Sequence, residues 1–251
     1  MGHQESYRHN EAYAKFLAGW DAGFYAKYTD TLRPDRKEAR VLDVGCGVGQ
    51  VVARLTDQGY EAHGVDVSEP NIERARQFSQ RCQLYDGKHL PFPDHHFASV
   101  GALNVLEHVE EPEDFVAELV RVTEKEGKIV LSSPNFFRVF GFRDYHPTMR
   151  GVANKWRNWR QLMAKRRRLR GGEPVRFNRM MPVQRAVFQP DDDAIIATNA
   201  LEMEAVLEKN GCKVERLECT DRYVARPIDW LLNLGPWRYG MFNSFLVARR
   251  L

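Results

Sequence analysis

Apolar positions in this 251-residue chain follow two periods. Short continuous apolar runs ending in Gly, Asp or Ser read as buried strands. Between them apolar residues recur three or four apart, as on one side of a helix. Residues 5–33, rich in Tyr, Phe, Trp and Ala, predict one or two N-terminal helices. "RVLDVG" (40–45) reads as the first strand, and Gln50–Gln58 as a helix closed by Gly59. "EAHGVDV" (61–67) is a second strand, after which Ser68 caps a helix that tolerates Pro70 in its first turn. "CQLYD" and "FASVGALNV" are the third and fourth strands, a helix runs from Pro112 to Thr123, and "GKIVLSS" is the fifth strand.

Strands and helices alternating with short links predict an α/β fold built on a doubly wound parallel sheet. The pattern stops after Pro134 and resumes at Thr198. There Asn199 and Glu202 form a capping box, and Gly211 ends the helix. "CKVERLEC" and "FNSFLVAR" bring the count to seven strands. The expected organisation is one domain over residues 1–251. It comprises N-terminal helices to residue 38, a core at 39–135, an inserted segment at 136–195, and a closing helix and strands at 196–251. Open α/β sheets bind ligands beyond the carboxyl ends of their strands, so an insertion after the fifth strand is positioned as a lid.

Composition narrows the class. No apolar run approaches the roughly 20 residues that span a bilayer, and the polar start "MGHQESYRHN" is unlike a signal peptide. Cys46, Cys82, Cys212 and Cys219 lack metal-type spacing. These features predict a cytoplasmic protein with reduced thiols. The net charge of +3 conceals an asymmetry. Arg138–Pro190 holds 14 Lys/Arg against 2 Asp/Glu, leaving 23 basic and 32 acidic residues elsewhere.

The stretch "VLDVGCGVGQ" (41–50) contains Gly45, Gly47 and Gly49 between a strand and a helix. Glycine there lets a ligand approach the backbone, and a helix start offers unpaired N–H groups. Asp66 ends the second strand about twenty residues on, where a carboxylate can accept both hydroxyls of a ribose. A dinucleotide fold uses G-x-G-x-x-G. Here the spacing is G-x-G-x-G, Gln50 stands at the third glycine's place, and Asp43 precedes the loop. A carboxylate that close suits a cationic ligand better than a pyrophosphate.

With "LDVGCGVG", "GVDVS", "YDGKHLPFPDHHFASV", "NVLEHVEEP" and "GKIVLSSPN" in this order, the chain resembles the class I S-adenosylmethionine-dependent methyltransferases. The resemblance covers residues 41–135 and extends through the final helix and strands. It implies a seven-stranded Rossmann-like sheet and S-adenosylmethionine as cofactor. By the same resemblance Gly45, Cys46, Gly47 and Gly49 lie along the cofactor's methionine part, and Asp43 orients its ammonium. Asp66, with Val67 beside it, takes the ribose hydroxyls. Asp86 accepts the adenine amino group with Gly87 beside the ring, and Asn104 approaches the methionine end. Read as residues alone, Asp66 is also a plausible strand-end cap, Asp86 a turn former, and Cys46 a small filler.

Methyl transfer from a sulfonium needs an in-line acceptor about 3 Å away, and an oxygen acceptor also benefits from a base. His108 and His146 are the candidate catalytic residues, each with a structural alternative. "LEH" (106–108) resembles ubiquinone-type O-methyltransferases and RNA 3′-end methyltransferases, in which Glu-x-x-Glu-His holds a divalent cation. Asn104 occupies the first of those positions, so no metal site is predicted.

"VANKWRNWRQLMAKRRRLRGG" (152–172) reads as a basic amphipathic helix with tryptophans on its apolar side. Three roles stay open: peripheral contact with a membrane surface, a grip on nucleic-acid phosphates, or tryptophans packed on the domain under a solvated basic side. The Trp spacing favours an amphiphilic or anionic acceptor, small or lipid-linked, over nucleic acid. The acidic stretch at 189–200 is read either as an ion-pair clasp for this helix or as a holder of acceptor hydroxyls. The expected function is S-adenosylmethionine-dependent methyl transfer to such an acceptor, preferably at oxygen. The rivals are an RNA methyltransferase, a nicotinamide-dependent reductase and a non-catalytic cofactor-binding scaffold.

Overall fold

The computed structural model describes residues 7–19, 22–141, 144–183 and 191–251. The polar start at 1–6 and the Gln189–Pro190 beginning of the acidic stretch lie outside them. The strands are β1 (Arg40–Val44), β2 (Glu61–Asp66), β3 (Cys82–Leu84), β4 (Phe97–Leu103), β5 (Thr123–Pro134), β6 (Asn178–Arg179), β7 (Ile196–Ala197), β8 (Cys212–Glu218) and β9 (Asn243–Arg250). The helices are α1 (Glu11–Ala18), α2 (Ala22–Leu32), α3 (Gln50–Asp57), α4 (Glu69–Ala75), α5 (Pro112–Val122), α6 (Val152–Arg170), α7 (Ala200–Lys209) and α8 (Arg226–Asn233).

Seven strands form one sheet in the order β3-β2-β1-β4-β5-β9-β8. Pairing is parallel from β3 through β5, and β9 runs antiparallel between β5 and β8. Strand order reverses at β1, between β2 and β4, which opens a crevice at the carboxyl ends of these strands. Both sides of the sheet are covered, which explains the unbroken apolar runs. One core gathers Phe97, Val100, Leu119 and Met203 under α5 and α7. The other gathers Tyr28, Leu32, Val52 and Ile72 under α2, α3 and α4.

The predicted caps are present. The Ser68 hydroxyl accepts the N–H of Asn71, and Asn199 accepts the N–H of Glu202 at 3.1 Å while its amide donates to the Glu202 carboxylate. β5 starts at Thr123 rather than at Gly127, because Thr123 pairs with Phe97 across a bulge. α8 and the 3-10 turn at Pro236–Gly240 carry no sequence expectation.

The insertion has its own small core of Phe136, Met149 and Ala194, and β6 pairs with β7. α6 matches its expected bounds, but its orientation differs. Asn158, Leu162 and Lys165 are its buried residues, whereas Trp156 and Trp159 are exposed and stacked on each other. The inward side is held by polar bonds. The Asn158 amide donates to the Arg138 and Thr148 carbonyls, and Lys165 pairs with Glu202 at 2.6 Å. The tryptophans therefore do not pack on the domain.

Candidate functional site

A cavity of ≈ 780 Å³ opens over the carboxyl ends of β1, β2 and β4. Its floor is the turn from β1 into α3, where Gly45, Cys46, Gly47 and Val48 face the space. Gly47 sits at φ 52°, and its N–H donates to Asp66 at 2.9 Å. This bond ties the loop to the end of the neighbouring strand. Gly49 does not line the cavity. Its φ is 84°, and a Cβ would meet the Ala75 Cβ at 2.8 Å, so glycine at 49 serves the approach of α3 to α4. The neighbouring Cys82 thiol and burial push the Cys46 thiol well up, so it acts as a small wall residue.

Asp43 and Asp66 end adjacent strands and face one space. Asp43 accepts the Tyr28 hydroxyl at 2.7 Å, and burial pushes its carboxyl up to about 7. Burial also raises Asp66, against the N–H groups of Ser68 and Gly47 that stabilise its charge. Among the described residues no Lys or Arg pairs with either acid. Two buried carboxylates without a cationic partner fit a ligand bearing positive charge and hydroxyls, and they oppose a pyrophosphate. Val67 and Asn104 complete the walls. Asn104 adopts φ 54°, a conformation Asn tolerates better than most residues.

Asp86 and Gly87 do not line the cavity. The Asp86 carboxylate, 57% exposed, instead accepts the N–H groups of Lys88 and His89 at 2.7 Å each. The turn-forming reading of Asp-Gly therefore describes it, and Tyr85 supplies the wall at this point.

His108 and His146 separate. His146 is 1% exposed, and its Nδ1 accepts the N–H of Thr148, which caps the 3-10 turn at Pro147–Met149; its ring stands edge-on to Phe136. It does not reach the cavity, which corrects its candidacy as a base. Replacing His146 with Ala is expected to leave turnover unchanged and to cost roughly 1–3 kcal/mol of stability in a denaturant titration.

His108 lines the cavity, and its Nδ1 lies 3.1 Å from the Tyr7 hydroxyl. Tyr7 donates to Asp193, whose carboxylate is also 3.8 Å from Nδ1. The neighbouring Asp191 accepts the Tyr145 hydroxyl at 2.6 Å. The acidic stretch thus faces the cavity and does not clasp α6, whose lysines pair with Asp144 and Glu202. Glu107 is fully buried and is pushed up to about 7 by that burial. Ligand atoms of Glu107, His108 and Asp191 lie within 4.8 Å of one another.

Tyr7, Tyr13, Tyr25 and Phe16 from the N-terminal segment line the cavity, and Tyr145 and Arg138 come from the insertion. Its two ends, not α6, border the cavity. Aromatic density ahead of a glycine loop was the available signal for the N-terminal wall. Asp191 lies in the acidic stretch that the sequence offered as a holder of acceptor hydroxyls, but its place beside His108, like that of Tyr145, comes only from the folded chain.

Seven strands in this order, a glycine turn after the first and an acid after the second define a Rossmann-like methyltransferase fold. Residues 42–131 match the family model described as a methyltransferase domain. An uncharacterized methyltransferase, YcgJ, of Bacillus subtilis is 30% identical over 51% of this chain and 50% of its own length. A ubiquinone biosynthesis O-methyltransferase of Rickettsia typhi is 32% identical over 40% of this chain and 43% of its own. The chain thus spans half or less of these relatives' length. A solved S-adenosylmethionine-dependent methyltransferase of Aquifex aeolicus shares the fold, with TM-score 0.55, 14% identity and coverage of 97% and 100%. Residues 42–131 thus carry a methyltransferase domain, and the chain shares the fold of solved S-adenosylmethionine-dependent methyltransferases.

Proposed function

We propose that the protein transfers a methyl group from S-adenosylmethionine to an oxygen of an amphiphilic acceptor, small or lipid-linked. The observation that carries this reading is His108 at the cavity wall, oriented by Tyr7 and Asp193. The bound cofactor supplies an electrophilic methyl. Asp66 takes its ribose hydroxyls, Asp43 faces its cationic end, and Gly45 and Gly47 leave room for it. Because Tyr7 donates to Asp193, its oxygen accepts Nδ1–H of His108, which leaves Nε2 as the basic atom. That atom takes the acceptor's hydroxyl proton as the methyl moves. Tyr7, Tyr13 and Tyr145 offer an aromatic wall to an apolar body. Carboxylates at 107, 191 and 193 disfavour an anionic group beside His108, so of the two acceptor classes the amphiphilic one is preferred. No described helix is long and apolar enough to cross a membrane, and α6 would meet a lipid surface only peripherally, through its basic side. The test offers labelled cofactor to lipid extract, soluble metabolites and RNA in turn. Label in a lipid or amphiphile supports the reading, and label in RNA alone overturns it.

Affinity for the cofactor is expected to depend on pH through Asp43. Its ionised form attracts a cation, so binding strengthens as pH rises through about 7 and weakens up to tenfold per unit below it. In the unliganded protein the sign is opposite. A carboxyl raised on folding stabilises most below its unfolded value, and that contribution is lost as pH rises through about 7. The thermal shift given by cofactor should therefore be larger at about pH 8 than at about pH 6.

A second reading rests on the Glu107 Oε1 atom, which is buried without a hydrogen-bond partner among the described residues. Glu107, His108 and Asp191 could hold a divalent cation, with Asp191 supplying a carboxylate that Asn104 cannot. Turnover abolished by a chelator and restored by magnesium favours the cation. Turnover indifferent to the chelator leaves His108 as the base.

A further inference from the structure

We infer that α8 and the turn after it form an interfacial platform that docks on an anionic phospholipid surface and sets the cavity mouth against it. Amphipathic helices of water-soluble domains bury their apolar side. α8 does the reverse. Its polar residues point inward: the Asp229 carboxylate accepts the Thr220 hydroxyl at 2.6 Å, and the Asn233 side chain accepts the N–H of Cys219 at 2.7 Å. These bonds pin the helix to the end of β8. No residue of α8 is buried. Trp230 is 65% exposed and Leu231 57%, and Leu234 and Trp237 extend the exposed row. The Trp237 indole N–H donates to the Leu231 carbonyl, which fixes the turn beside the helix.

The platform borders the cavity, since Ile228 and Leu232 line its wall. It also joins a basic flank. Gly240 closes the turn against Val139 and Leu162, the latter on α6. Along α6, Trp156 and Trp159 stack outward at 4.9 Å among exposed Arg157, Arg160, Arg166 and Arg167. Among the described residues no acid pairs with Arg160, Arg166 or Arg167. The segment from Arg138 to Pro190 carries a net +12. Exposed tryptophans and leucines on the platform, with unneutralised arginines on the exposed side of the adjoining α6, match the apolar boundary and negative headgroups of an anionic bilayer. A neutral apolar partner would leave the arginines without a counterpart. The docking surface deepens the amphiphilic-acceptor reading and rests on it only for why the mouth should face lipid.

The test is flotation of the full chain with phosphatidylcholine–phosphatidylserine vesicles, without cofactor or acceptor. Wild type is expected to float with the anionic vesicles at low salt, weakly at high salt, and weakly with phosphatidylcholine alone. W230S/L231S should lower vesicle affinity at least tenfold, and R166Q/R167Q roughly 25-fold, about fivefold per arginine. Both variants should bind S-adenosylmethionine as wild type does by calorimetry, which reports an intact fold. Failure of wild type to bind anionic vesicles, or undiminished binding by W230S/L231S, overturns the docking surface. So does a stable dimer that buries Trp230, or a protein partner captured through it in place of lipid. Absent cofactor binding with intact flotation would instead count against the methyltransferase reading alone.

Discussion

Replacing Asp66 with Ala is expected to weaken S-adenosylmethionine binding by about 100-fold or more, measured by calorimetry. In the proposed binding mode the variant loses charge-assisted hydrogen bonds to two hydroxyls, worth roughly 1.5–3 kcal/mol each, and about 1.4 kcal/mol is tenfold in affinity. The effect has a second source. Asp66 also accepts the N–H of Gly47 and of Ser68, so its removal loosens the loop that forms the cavity floor. Asp66→Asn separates the two contributions, because an amide oxygen can keep one N–H bond while the charge is gone. An affinity within twofold of wild type for both variants would contradict the assignment.

The second large effect is expected at His108. His108→Ala should lower kcat by about 10²–10⁴, the usual range for a general base, with cofactor affinity unchanged. Tyr7→Phe should cost less. It removes the hydroxyl that holds Nδ1, freeing the imidazole to turn, and should lower kcat with cofactor affinity unchanged. Because Asp193 also faces Nδ1, Asp193→Asn should lower kcat as well. Unchanged turnover in His108→Ala would leave positioning alone to drive the reaction.

These two residues illustrate what the sequence discloses. The place of Asp66 at the cavity was legible because its signal is local: an apolar strand, an acid at its end and a glycine turn about twenty residues earlier require no knowledge of the rest of the chain. The parallel strands were legible for the same reason, since burial on both sides leaves unbroken apolar runs. The start of β5 was not, because Thr123–Glu126 is mostly polar and joins the sheet by pairing rather than by pattern. His108 and His146 could not be told apart in sequence. Only the path of the insertion turns one toward Tyr7 and the other onto Thr148.

Asp191 and Asp193 come from a stretch some eighty residues beyond His108, so their approach is a product of tertiary structure. Asp86 fell the other way. A local turn satisfied it before any ligand could, as Asp-Gly sequences tend to do. α8 was invisible for a different reason: a helix whose apolar side faces out obeys the same periodicity as one whose apolar side faces in, and eight residues give the pattern little length.

A crystal structure of the protein with S-adenosylhomocysteine tests most directly where the cofactor rests. The expected result is the thioether and amino-acid end lying over Gly45–Gly47 near Asp43, both ribose hydroxyls on Asp66, and His108 facing the sulfur across an open acceptor space. A ligand bound away from the β1 turn, or a cavity that stays empty at saturating ligand, would contradict it.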